Sequence, residues 1–163
     1  MIETATLHVF CGKMGAGKST FARSLAASSG AVLLSEDDLL RDLYPGGVTD
    51  LASYVTLSGR IKQALAGHIC ALLRHGTSVV LDFPGNTVRQ RAWFRELVDS
   101  SGAKHQLHYL NVPDATCRQQ LAQRRATNGG DPLQDEATFN ALLAHFTSPS
   151  PEEQFSVVLH ERN

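Results

Sequence analysis

The chain has 163 residues, 42% hydrophobic and 19% charged, with 15 Lys and Arg against 16 Asp and Glu. That length buries a sizeable core and falls short of two ordinary domains, so a single domain over residues 1–163 is expected. The balanced charge excludes the broad basic field on which phosphate-backbone binding depends, and no nucleic-acid partner is expected.

Cys11, Cys70 and Cys117 are far apart, odd in number and without metal-type spacing, which reads as free thiols in a reducing compartment. No basic stretch followed by an apolar one opens the chain, and no apolar run reaches membrane-spanning length. A cytoplasmic protein without membrane contact is therefore expected.

Ala5 to Cys11 is a short apolar run of β-formers leading into Gly12, a buried strand followed by a tight turn. Helical spacing resumes at Lys18, with Phe21, Ala22, Leu25 and Ala26 recurring up to Ser28 before Ser29-Gly30. Ala31 to Leu34 reads as a second strand, Ser35 to Asp38 as an acidic turn at its C-terminal end, and Leu39 to Leu43 as a short helix stopped by Pro45-Gly46-Gly47. Leu51 to His75 carries an amphipathic stripe of a long helix, ended by Gly76.

Val79 to Phe83 is a third strand, Pro84-Gly85-Asn86 a turn, and Val88 to Val98 a helix with Trp93, Phe94 and Leu97 inward. His105 to Val112 follows as a strand, and Asp114 as N-cap of a helix ending at Arg125 or Ala126. Thr127 to Pro132 is a Gly-rich break. Asp135 to Phe146 is helical in pattern, and the strand Phe155 to His160 closes the chain. Strand and helix alternate throughout, so a parallel sheet covered on both faces is the economical architecture, an α/β three-layer fold.

The string Gly12-Lys13-Met14-Gly15-Ala16-Gly17-Lys18-Ser19 matches the phosphate-binding P-loop (Walker A) pattern and stands between a predicted strand and a predicted helix. Glycines allow backbone N–H groups to point inward around phosphate oxygens, and the helix N-terminus adds partial positive charge. Lys18 is placed to reach the β- and γ-phosphates, and the Ser19 hydroxyl to ligate a bridging Mg²⁺. Nucleotide contacts are expected from Gly12 through Thr20. A glycine turn that binds nothing is the alternative; the strand-to-helix setting speaks against it.

A P-loop serves kinases, GTPases and ATPases alike, so the remaining residues decide. No Asn-Lys-x-Asp guanine-specificity string is present. Asp82 ends its strand as a Mg²⁺-ordering acid should, but Phe83 follows it where hydrolytic ATPases commonly place a water-activating Glu. Asp37, beyond the second strand, should face the same crevice and could take a proton from an acceptor hydroxyl. Asp37 and Asp38 could equally cap the following helix, and either could be the base.

Arg124 and Arg125 precede the Gly-rich break in a lid-like region at about 118–134, and a lid cation would support a migrating phosphoryl group. Tyr54, Arg60, Asn86 and Arg91 are candidate acceptor contacts. The seven histidines form no local metal-ligand string and receive no role.

Taken together, Gly12 to Ser19, Ser35-Glu36-Asp37, Val79 to Asp82, Arg91 and Arg124 resemble the zeta-toxin and chloramphenicol-phosphotransferase group of P-loop kinases. They resemble more closely the uncharacterised bacterial ATP-binding proteins of AAA type within that group. The resemblance implies a five-stranded parallel sheet of nucleoside-monophosphate-kinase type, ATP with Mg²⁺, Asp37 as base, and a small lid carrying Arg124.

Two positions depart from the pattern. Leu40 stands where relatives often have Arg, and Gln120 where they often carry a second lid arginine. The expected activity is transfer of the ATP γ-phosphate to a hydroxyl of a small molecule. The alternatives are an ATP-binding regulatory or ATPase domain acting on a protein partner, and a zeta-type toxin kinase of a sugar nucleotide. The sequence names no acceptor and fixes no oligomeric state.

Overall fold

The computed structural model describes residues 4–128 and 136–161. Five strands, β1 (Thr6–Cys11), β2 (Val32–Ser35), β3 (Val79–Asp82), β4 (Lys104–Asn111) and β5 (Val157–Glu161), form one sheet in the order β2-β3-β1-β4-β5. Every pairing is parallel. The helices are α1 (Lys18–Ser29), α2 (Glu36–Leu43), α3 (Leu51–Arg74), α4 (Val88–Ser101), α5 (Asp114–Asn128) and α6 (Glu136–Ala144), with a short 3₁₀ turn at Pro151–Glu153. The expected five-stranded parallel α/β fold is therefore the one observed. No helix among the described residues is long and apolar enough to cross a membrane.

Alternation along β1 builds two cores, because successive side chains leave a strand on opposite faces. Leu7, Val9 and Cys11 point to the side where Ile61, Ile69 and Leu73 of α3 and Phe94, Leu97 and Val98 of α4 pack with them. Phe10 points the other way, with Val80, Leu110, Ala22 and Ala26 of α1, and Cys117 and Leu121 of α5. The three cysteines are buried and free.

Several boundaries differ from the sequence reading, each for a local reason. Ser35 to Asp38 is not a turn: Ser35 ends β2 and caps α2, its Oγ accepting the Asp38 N–H at 3.3 Å, so Glu36, Asp37 and Asp38 form the first helical turn. Three carboxylates there lie at the positive end of the helix dipole. Asp114 lies inside α5 rather than before it. Helix α4 runs on to Ser101, where left-handed Gly102 (φ 69°) closes it. Phe83 falls outside β3, α6 stops at Ala144, and β5 begins at Val157.

The register places the site. Ser35 is paired with Asp82 across β2 and β3, so the acid ending β3 lies beside the acids opening α2. Since β1 has β3 on one side and β4 on the other, its C-terminal end is the topological switch point where open α/β sheets bind ligands.

Candidate active site

The loop between β1 and α1 is held by three contacts. Gly15 (φ 85°) comes so close to α5 that a Cβ there would lie 2.4 Å from the Cys117 carbonyl oxygen. The Gly12 N–H donates to Asn86 Oδ1 at 2.8 Å, and the Asn86 N–H donates in turn to Gln90 Oε1 at 2.8 Å, so the β3–α4 turn braces the loop entrance. Lys13 Nζ pairs with Asp114 Oδ1 at 2.6 Å and lies 5.5 Å from the centre of the Phe146 ring. Gly17 (φ 93°) caps α1 with no side-chain hydrogen bond. The first amides of α1 are thus directed at the crevice without a competing cap, the arrangement that suits an anion.

Lys13 to Ser19, Glu36, Asp37, Tyr54, Asp82, Pro84 and Arg124 line that crevice, whose volume is about 130 Å³. Lys18 Nζ lies 3.5 Å from Asp82 Oδ1, at the end of a strand buried along its whole length. Ser19 and Asp82 supply hard oxygen donors on the same crevice, and no cluster of three or more His, Cys, Asp or Glu among the described residues forms an all-protein metal cage. That donor set fits Mg²⁺, which is ordinarily held by one or two protein oxygens together with phosphates and water.

Glu36 is a residue that sequence reasoning missed. Its side chain is buried at 1% exposure, and its carboxylate accepts from the Tyr54 hydroxyl at Oε1 and from Ser58 Oγ at Oε2, 2.7 Å. Burial and then the Glu36 charge hold the Tyr54 phenol protonated, well above its usual range. The available signal was Tyr54 and Ser58, two polar residues four apart facing inward within the apolar stripe of α3.

Of the other sequence candidates, Arg124 reaches the crevice, whereas Thr20, Arg60 and Arg125 are exposed and do not line it. Asn86 bonds the loop backbone. Arg91 is fully buried: Nε and Nη2 donate to Glu153 at 2.7 and 3.2 Å, and Nη1 to the Gly85 carbonyl at 2.9 Å. It joins the β3–α4 turn to the segment before β5. Burial pushes the Glu153 carboxyl up, but the hydrogen bonds and charge of Arg91 and the Ser150 amide outweigh it, and Glu153 titrates below its usual range. Burial likewise pushes the neighbouring Cys11 thiol up to about 11, despite Arg91. Arg118 Nη2 donates to Asn140 Oδ1 at 2.7 Å, tying α5 to α6. Residues 129–134 of the expected lid lie outside the described residues.

A glycine loop between β1 and α1, an acid at the end of β3 and the order β2-β3-β1-β4-β5 define a P-loop nucleotide-binding fold of the kinase type. The chain belongs to the AAA domain family AAA_33, which it matches over residues 7–149. It is similar to a kinase candidate from Chloroflexus aurantiacus J-10-fl (15% identity, TM-score 0.76, 98% of this chain and 89% of that one). It is also similar to a sugar kinase from Janibacter sp. HTCC2649 (16%, 0.63, 98% and 86%) and to Kti12 of Chaetomium thermophilum in complex with ADP-AlF3 (22%, 0.65, 95% and 88%). At these identities the likeness is one of fold.

Proposed function

We propose that this protein transfers the γ-phosphoryl group of ATP to a hydroxyl of a small molecule, as a member of the P-loop kinases near the zeta-toxin and chloramphenicol-phosphotransferase group. The observation that carries this reading is the convergence of Asp37, Asp82, Lys18 and Arg124 on one phosphate-sized crevice. At about 130 Å³ that crevice is smaller than the roughly 300–1,000 Å³ of pockets that enclose a whole ligand, which suits a phosphate chain. The kinases among the similar folds support it.

In this reading the loop amides between Lys13 and Ser19 and the Lys18 ammonium hold the phosphate oxygens, while Gly12, expected from sequence among the contacts, has its N–H committed to Asn86 and braces the loop, with Thr20 and Arg125 at the periphery. Ser19 and Asp82 would hold Mg²⁺, which would supply neutralisation of the phosphate charge. Asp37 takes the acceptor's hydroxyl proton as the new O–P bond forms and the bond to the ADP oxygen breaks. Arg124 meets the charge on the migrating group. Phe83, fully buried, fills the position after Asp82 and leaves no carboxylate there to activate water. Transfer is thereby favoured over hydrolysis.

The test is an ATP-consumption screen over nucleosides, sugars, sugar acids and sugar nucleotides, with Asp37→Asn as the control. Acceptor-dependent turnover should fall by about 10²–10⁴-fold in the variant with nucleotide affinity retained. Hydrolysis that no acceptor stimulates, accompanied by nucleotide-dependent binding of a protein, would replace this reading with a regulatory ATPase.

A further inference from the structure

A second hollow adjoins the phosphate crevice. Between α3 and α4 lies a cleft of about 670 Å³, within the range of small-molecule sites, lined in part by Tyr54, Ser58, Lys62, Arg89, Trp93 and Glu96. Tyr54 lines both hollows, and the buried Tyr54–Glu36–Ser58 hydrogen-bonded group is the wall between them. Anything seated in the cleft therefore has one end a single side chain away from the loop.

The walls have a definite chemistry. Trp93 is packed on Phe83 and Phe94, with ring centres 5.3 and 5.9 Å away, which fixes its indole as an apolar floor. Lys62 Nζ lies 5.4 Å from the centre of that indole. No carboxylate among the described residues forms an ion pair with Lys62 or Arg89; Glu96 lines the same cleft, and the Glu36 carboxylate is held in its wall by Tyr54 and Ser58. Burial pushes the Lys62 ammonium below its usual range, with Arg89 adding to the effect and Glu36 opposing it. Lys62 and Arg89, neither in an ion pair among the described residues, thus offer two cationic donor groups beside an apolar floor, which suits one anionic group with an apolar body.

We propose that the α3–α4 cleft seats the phosphate acceptor and selects a hydroxyl compound bearing its own carboxylate or phosphate, held by Lys62 and Arg89, with its apolar body along Trp93. This rests on the phosphotransfer reading and names its substrate class. The acceptor hydroxyl is then at the Tyr54 end, on the side of Asp37 and the loop, and the anionic group lies at the far end.

Trp93 is the one tryptophan of the chain, so its fluorescence reports the cleft directly. Para-hydroxymethylbenzoate, para-hydroxymethylphenyl phosphate and the neutral para-hydroxymethylbenzamide share one hydroxyl and one ring, and differ only in the group offered to Lys62 and Arg89. Titrated without ATP, one or both anions should bind about tenfold or more tighter than the amide, a difference typical of one good charged contact. The tighter of the two identifies the group. Lys62→Met and Arg89→Met should each lose most of that preference, and Lys62→Arg should keep it.

The proposal is overturned if the anions bind no tighter than the amide, including no binding by any probe, or if both Met variants keep the preference. ATP consumption with the same probes separates the two readings. Anion-selective binding with no acceptor-stimulated turnover leaves the cleft and removes phosphotransfer, whereas turnover supported equally by the amide leaves phosphotransfer and removes the anionic class.

Discussion

Lowering the pH should destabilise this protein through His8 and His108, two imidazoles of a row of three that crosses the sheet. His8 Nδ1 and His108 Nε2 are 3.0 Å apart, and His108 Nδ1 and His160 Nε2 are 3.1 Å apart, on β1, β4 and β5 under the aromatic rings of Phe10 and Phe21. Burial, then the charges of His8 and His160, lower the His108 pKa from its ordinary 6.5 to about 4. Burial lowers His8 as well.

The folded pKa lies below the unfolded one, so the unfolded chain binds the proton first. Stability is full above 6.5 and is lost as pH falls toward 4. A shift of that size corresponds to about 3 kcal/mol in full and about 2 kcal/mol by pH 5, from His108 alone. Urea unfolding followed by Trp93 fluorescence at about pH 7.5 and about pH 5 measures it, above the range where Glu153 and Asp50, both lowered, begin to contribute. His108→Gln has some stability cost of its own, so the readout is the pH dependence: it should become shallower in the variant, with His8 and His105, both also lowered by burial, supplying what remains. A wild-type stability that is level across this interval, or an equal slope in both proteins, would refute the reasoning.

Arg91→Met strands Glu153 and should cost about 3–5 kcal/mol in urea unfolding, as breaking a buried pair does. A cost below about 1 kcal/mol, the level of exposed pairs, would show that the clamp carries little. Gly15→Ala places a Cβ against the Cys117 carbonyl at a positive φ, so α5 must shift away from the loop. Fluorescent-nucleotide titration should show affinity down by more than tenfold, and an unchanged affinity would mean that the loop yields freely. Asn86→Ala leaves the buried Gly12 N–H without its acceptor, at a cost of about 1–3 kcal/mol, and should weaken both stability and nucleotide binding. Loss of stability with intact binding would make Asn86 a strut for the turn alone.

The sheet, the loop and most of the element order were legible along the chain. Each is written in local periodicity: alternation in β1, three- and four-residue spacing in α3, and glycines at fixed intervals before Lys18. The same pattern also brought Asp37 and Asp82 to one edge, since residues beyond parallel strands share an end.

The partners were not legible in this way. Asn86 and Arg91 look alike in sequence as polar residues after a strand, yet one braces the loop backbone and the other is sealed against Glu153, far along the chain. Glu36 was indistinguishable from Asp37 and Asp38 until the α2 turn directed it inward at Tyr54 and Ser58. The histidines, scattered over the chain, became a row only when β1, β4 and β5 took their register. Secondary structure answers to neighbours in sequence, whereas burial, hydrogen bonding and pKa answer to neighbours in space, and those exist only once the chain has closed.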